Sequence, residues 1–185
     1  MRFTVLLLSA GACLAQTTYL RNDLTAAFRY EVKVGQNSYF VNNAPGFGLK
    51  YSFRPRRWLA LEAAYEQIPR PIGSSFCCRS ANSAGDELYL APFGVRYVFE
   101  HERLRLSAGG GGAYMNHSIP VGIRNYDGAG ASAWGGQGVA SIDYGITRSG
   151  RIRAGLTARY YYVPVNGYTI ARLVTLGPDF TFSFR

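Results

Sequence analysis

The sequence predicts an all-β fold, an eight-stranded antiparallel up-and-down transmembrane β-barrel with short turns at one end and longer loops at the other. Three observations carry this. Apolar and polar residues alternate with a period of two along most of the 185-residue chain. Aromatic residues make up 15% of it, in the company of 22 glycines. Short and long connections between the alternating segments take turns. A period of two is the side-chain repeat of a strand, and a regular exchange of tight turns and longer loops is the connectivity of an up-and-down barrel.

The pattern is plainest over residues 134–163. Trp134, Gly136, Gly138, Ala140, Ile142, Tyr144 and Ile146 form one face, and Gln137, Ser141, Asp143 and Thr147 dominate the other. After the turn Arg148-Ser149-Gly150, Ile152, Ala154, Leu156, Ala158, Tyr160 and Tyr162 face one way, and Arg151, Arg153, Thr157 and Arg159 the other. A three-residue connection containing Gly reads as a hairpin. On the apolar face Trp134 and Tyr144 bracket small and aliphatic residues. A soluble core does not need that order. A bilayer does, because amphipathic rings settle at its two polar boundaries.

Length bounds the chain to one domain. Residues 1–15, MRFTVLLLSAGACLA, read as a secretory signal: Arg2, a short apolar run, then small residues. Cleavage after Ala15 starts the mature chain at Gln16, and cleavage after Ala12 exposes Cys13 for lipidation. Residues 16–24 are then a leader, and the barrel domain spans 25–185. The formal charge of +9 would suit an anionic partner. Its basic residues fall at alternate strand positions and not in one patch, so nucleic acid is not the expected partner. No stretch approaches the roughly 20 consecutive apolar residues of a membrane helix, which leaves barrel strands untouched, since each is only half apolar.

In chain order, residues 28–34 set Phe28, Tyr30, Val32 and Val34 against Arg29, Glu31 and Lys33. Residues 46–53 set Phe47, Leu49, Tyr51 and Phe53 against Gly46, Gly48, Lys50 and Ser52, and Pro55-Arg56-Arg57 turns the chain. Leu59, Leu61, Ala63 and Tyr65 then oppose Ala60, Glu62, Ala64 and Glu66. A long excursion, 68–86, holds Cys77 and Cys78. The fourth strand turns Tyr89, Ala91, Phe93, Val95, Tyr97 and Phe99 outward, with Leu88, Leu90, Pro92, Gly94 and Arg96 behind them. After the turn Glu100-His101-Glu102, the fifth sets Leu104, Leu106, Ala108 and Tyr114 against Arg103, Arg105 and Ser107. A loop, 116–131, leads into the hairpin described above. A shorter loop, 164–168, leads to the last strand, where Val174, Leu176, Phe180, Phe182 and Phe184 oppose Thr175, Asp179, Thr181 and Ser183. Strands of about 9–11 residues suit a tilted crossing.

Charge decides which face is inside. Arg29, Glu31, Lys33, Lys50, Glu62, Glu66, Arg96, Arg105, Asp143, Arg153, Arg159 and Asp179 share one parity. The other parity is free of charge until Arg172. An Arg or Lys facing lipid at the midplane costs about 2–4 kcal/mol, so reversing the faces would cost tens of kcal/mol. The charged parity is therefore the lumen. On the opposite parity Phe28, Phe53, Tyr65, Tyr89, Tyr97, Phe99, Tyr114, Trp134, Tyr144, Tyr160, Tyr162, Phe182 and Phe184 form an aromatic girdle.

With its signal sequence, its alternating loops, the segments LAPFGVRYVF (residues 90–99) and VASIDYGITRSGRIRAGLTARYYYV (139–163), and a last strand of alternating Phe, the chain resembles the small eight-stranded outer-membrane barrels. That group contains the opacity-type adhesins and the barrel domain of OmpA. The resemblance covers about residues 25–185. It implies the Gram-negative outer membrane, insertion by the barrel-assembly machinery, contact with outer-membrane lipid and lipopolysaccharide, and a monomer. Family members usually end in Phe; here Phe184 is penultimate and Arg185 last. No peptidoglycan-binding domain follows in the sequence.

An eight-stranded barrel has an interior just wide enough for side chains. The lumen set holds seven basic and five acidic residues, which reads as a closed salt-bridge network; a narrow ion path is the sharper alternative. Cys77 and Cys78 lie in an oxidising compartment; they either close a vicinal disulfide or pair elsewhere. His117-Ser118 evokes lipid A hydrolases, but adjacent strand residues point opposite ways. Arg70, Arg79 and Arg124 in the loops suit lipopolysaccharide phosphates as well as plain solvation. The run from Gly109 to Gly112 lacks a phosphate-loop Lys and reads as close strand packing. No catalytic residue, metal or cofactor is expected. The expected role is structural or adhesin-like, through four outer loops and an extracellular ligand. A small-solute channel is the alternative, and a lipid A-modifying hydrolase the third.

Overall fold

The computed structural model describes residues 20–34, 44–70, 86–118, 131–166 and 169–185. They form β1 (Asn22–Lys33), β2 (Ala44–Arg56), β3 (Leu59–Arg70), β4 (Asp86–His101), β5 (Leu104–Ser118), β6 (Ala131–Gly145), β7 (Ile152–Asn166) and β8 (Thr169–Phe184). Each strand pairs antiparallel with its neighbours in sequence, and β8 returns to pair with β1, with Leu24 opposite Phe182 and Val32 opposite Val174. The ring is closed and has no edge strand. Closure matters in a bilayer, where an unpaired backbone N–H or C=O finds no water.

The alternation that makes these segments strands also sorts them by solvent. β2 switches between buried and exposed at every residue from Ala44 to Pro55. Outward on the ring stand Phe28, Leu49, Tyr97, Trp134, Leu156 and Phe180, each 53–65% exposed in the bare protein. Inward stand Arg29, Glu66, Arg159 and Thr175, at no more than 1%. A soluble protein does not expose a continuous apolar belt of this extent. The belt is the lipid-facing surface.

Three features differ from the sequence-based expectation. The strands run 12 to 16 residues, longer than a crossing needs. Beyond the bilayer the outer face no longer has to be apolar, so the alternation there loses contrast and reads as loop. For the same reason the expected loop at 164–168 shrinks to residues 167–168, because Pro164 and Asn166 still pair with Ile170 and Thr169. Three long outer connections remain, 34–43, 71–85 and 119–130. The β6–β7 turn, conversely, is wider than Arg148-Ser149-Gly150 and spans 146–151. The Thr147 hydroxyl accepts the Ile152 N–H and the Thr147 carbonyl accepts that of Gly150, whose φ of 67° needs no Cβ.

Small residues make room inside. A Cβ at Gly111 would lie 2.1 Å from the Phe93 carbonyl oxygen and 2.5 Å from the Gly94 Cα, so β4 and β5 approach there as only glycine allows. At Gly155 a Cβ would lie 2.3 Å from the Asp143 carboxylate across the β6–β7 pair.

Candidate functional site: the lumen and its mouth

The structure places the expected lumen residues Arg29, Glu31, Lys50, Glu62, Glu66, Arg96, Arg105, Asp143, Arg153, Arg159 and Asp179 inside the ring, all buried. The Lys33 side chain lies outside the described residues, as do Cys13, Cys77, Cys78, Arg79, Arg124 and the signal segment 1–15. The side chains of Arg70 and Ser118 are likewise not described.

At mid-height the charges form one lattice. Arg29 gives its Nε to Glu66 at 3.1 Å and its Nη1 to Asp179 at 2.5 Å. Lys50 meets the other Asp179 oxygen at 3.3 Å, and Thr157 donates to that same oxygen at 2.6 Å. Arg159 reaches Glu62 at 3.0 Å and Glu66 at 3.5 Å, and Arg96 reaches Glu62 at 2.7 Å. Tyr161 and Thr175 each donate a hydroxyl to Glu66 Oε2 at 2.9 Å. Glu66 therefore holds four side-chain groups from β1, β7 and β8. Carboxylates accept several donors at once, which lets three acidic residues bind four cations.

Toward the short turns a second cluster repeats the theme. Arg105 bridges Asp23 and Glu100, and Arg54 does the same, at 3.4 Å to Asp23 and 2.9 Å to Glu100. Arg153 adds a third cation to Glu100 at 3.5 Å. Between the clusters lies a belt of hydroxyls, Thr25 with Thr181 and Ser107 with Ser141, both at 2.8 Å. Three members of this lower cluster escaped the sequence reading. Asp23 fell in the assigned leader, Arg54 beside a turn proline, and Glu100 in a turn. The parity of Arg54 with Ser52 and Lys50 was the available signal.

Toward the outer end the lumen changes character. Ala44, Ile68, Leu88, Leu90, Ala113, Met115, Tyr161, Val163, Ala171 and Leu173 pack as one apolar cluster, with Ala133 against it. The inward Leu88 and Leu90 expected from the sequence belong to this cluster. The long strand ends carry an apolar layer across the ring above the ionic lattice. His117 is buried at this level, one residue from Ser118 along β5.

At the opposite end, beside the short turns, a cavity of about 450 Å³ opens, lined by Arg54, Arg57, Arg105, Arg148 and Arg153 among others. Above it the space narrows to about 20 Å³ between Asp23, Lys50, Arg96 and Thr181, room for about one water. Among the described residues no group of three or more His, Cys, Asp or Glu could hold a metal ion.

No protein-family profile and no curated protein matches the chain. Solved structures do. Neisserial surface protein A is similar over 89% of this chain and 97% of its own, at TM-score 0.58 and 17% identity. Ail, the attachment invasion locus protein of Yersinia pestis, in complex with the heparin analogue sucrose octasulfate, is similar over 89% and 100%, at TM-score 0.59 and 12% identity. The N-terminal β-barrel domain of Pseudomonas aeruginosa OprF is similar over 88% and 98%, at TM-score 0.56 and 16% identity. The chain has the fold of a small eight-stranded outer-membrane barrel. The lipid-facing belt and that fold together set this outer-membrane barrel in the bacterial outer membrane. Its short turns then face the periplasm and its long connections face out. The girdle residues Phe28, Phe53, Tyr65, Tyr89, Tyr97, Phe99, Tyr114, Trp134, Tyr144, Tyr160, Tyr162, Phe182 and Phe184 all point away from the lumen. Rings meet on that surface: Tyr114 and Trp134 lie 5.0 Å apart between centroids, Tyr65 and Tyr89 6.0 Å. Arg172, on the outward parity of β8, stands 5.6 Å over the Tyr162 ring.

Proposed function

We propose that this barrel is a closed, non-enzymatic, monomeric scaffold of the outer membrane that presents its three long outer connections to an extracellular partner. One observation carries the reading: the lumen is filled twice over, by the Glu62–Glu66–Asp179 lattice and then by the apolar layer around Leu90, Met115 and Leu173. A solute crossing it would have to part buried ion pairs and then enter a layer of buried apolar side chains with few polar partners, both costly. Function then falls to the connections, where loops on a rigid frame usually carry it. A similar fold in Ail, an attachment protein solved with a heparin analogue, lends weight to the surface-interaction reading over the channel.

Planar-bilayer recording in concentrated KCl tests closure. The barrel is expected to give no discrete openings; regular unitary steps would instead make it a channel. Replacing residues 71–85 and 119–130 by short turns tests the second half. Binding of the intact barrel to an immobilised sulfated glycan or matrix protein should vanish in the shortened variant while its heat resistance on gels persists. Binding that survives the shortening would contradict the proposal.

A further inference from the structure

The periplasmic mouth carries a function that a closed scaffold does not require. We propose that it is a binding site for one anionic phospholipid of the inner leaflet, with the headgroup phosphate in the mouth cavity and an acyl chain laid over Tyr97 and Phe99.

Charge comes first. The cavity of about 450 Å³ is lined by five arginines, Arg54, Arg57, Arg105, Arg148 and Arg153, against two carboxylates, Glu100 and Glu102. Glu100 is already shared by Arg54, Arg105 and Arg153. Adding Asp23, which lies behind the cavity and is held by Arg54 and Arg105, still leaves cations in excess by two. Around the same rim Arg21, Arg56, Arg103, Arg151 and Arg185 are exposed. A concentration of guanidinium groups at a membrane boundary attracts phosphate, which their planar fork binds bidentately.

Shape selects the kind of phosphate. The wall of this cavity does not end at the rim. It includes Trp58, Tyr97 and Phe99, of which Tyr97 and Phe99 point into the lipid belt at 62% and 54% exposure. Trp58 sits 6.1 Å from the Tyr97 ring and 6.0 Å from the Arg56 guanidinium, centroid distances that join the aromatic and cationic surfaces. A small anion or a cell-wall peptide would use the arginines and leave the rings idle. A phospholipid uses both. Lipopolysaccharide belongs to the other leaflet, so an anionic glycerophospholipid is the occupant that fits. This inference is independent of what the outer connections bind.

Native mass spectrometry of the full barrel, reconstituted in equal parts of dioleoylphosphatidylglycerol and dioleoylphosphatidylcholine and then released, reads the site directly. One retained phosphatidylglycerol per barrel is expected, in preference to phosphatidylcholine by about tenfold or more. Arg57→Gln with Arg148→Gln should abolish most of that preference, because both residues line the cavity and are exposed at its rim. Phe99→Ser should weaken retention of the lipid without changing the barrel's heat resistance. Equal retention of the two lipids by the unaltered protein, or an unchanged preference in the double variant, would overturn the proposal. So would displacement of the lipid by millimolar inorganic phosphate, which would mark a simple anion site. Co-sedimentation with isolated cell wall without lipid preference would overturn it too, in favour of a peptidoglycan contact.

Discussion

Glu66 shows how much one side chain can carry in a ring this narrow. It accepts from Arg29, Arg159, Tyr161 and Thr175 while buried. Removing its charge leaves two guanidinium groups short of a partner in a place water hardly reaches, and breaking a buried pair from one side costs about 3–5 kcal/mol. Glu66→Gln should therefore lower the unfolding free energy of the barrel in lipid by that much, read as a lower urea midpoint, and Glu62→Ala should lose its heat resistance on gels. Thr25→Val, which removes one neutral hydroxyl bond to Thr181, should cost only about 1 kcal/mol. A Glu66→Gln barrel as stable as the parent would mean the lattice is ornamental. Residue by residue, the charged part of this lattice was legible in sequence, because parity alone separates it from the lipid face. Asp23, Arg54 and Glu100 were not, since each lies where a strand meets a turn, and there the alternation stops identifying a side.

Among the elements, the strands and turns divide the work. Glycines at Gly94 and Gly111 let β4 and β5 close on one another, so Gly111→Val should prevent a folded, heat-resistant barrel from forming, as judged by gel mobility. The β4–β5 turn shows the opposite economy. Glu102 adopts a φ of 52° without being glycine. Glu102→Gly should stabilise that hairpin by about 1 kcal/mol if relief of left-handed strain outweighs the entropy gained by the unfolded chain, read as a higher urea midpoint. No change, or a lower midpoint, would show the turn is not strained. Sequence reasoning located every strand here but ended several too soon. Ile68 and Leu88 flank a segment rich in Pro and Ser, and Met115 and Leu173 border Asn- and Arg-bearing stretches. Their lumen parity was intact, yet the outward partners had already turned polar. Leu88 and Leu90 were legible as inward residues, and Ile68, Met115 and Leu173 were hidden for that reason.

At the scale of the whole molecule, the barrel is a stack: an arginine-rich mouth, two ionic levels separated by hydroxyls, an apolar layer, and long outer connections. Hiding ionised groups at the centre and offering rings to lipid is the condition on which all the rest depends. Nitroxide labels at successive positions of β7 test it most directly. In a background where Cys13, Cys77 and Cys78 are serine, single cysteines at Leu156, Thr157 and Ala158 would be labelled and the barrel placed in lipid vesicles. Collision with dissolved oxygen, which concentrates in acyl chains, should be high at 156 and 158 and low at 157. Equal accessibility at all three, or a maximum at 157, would contradict the account.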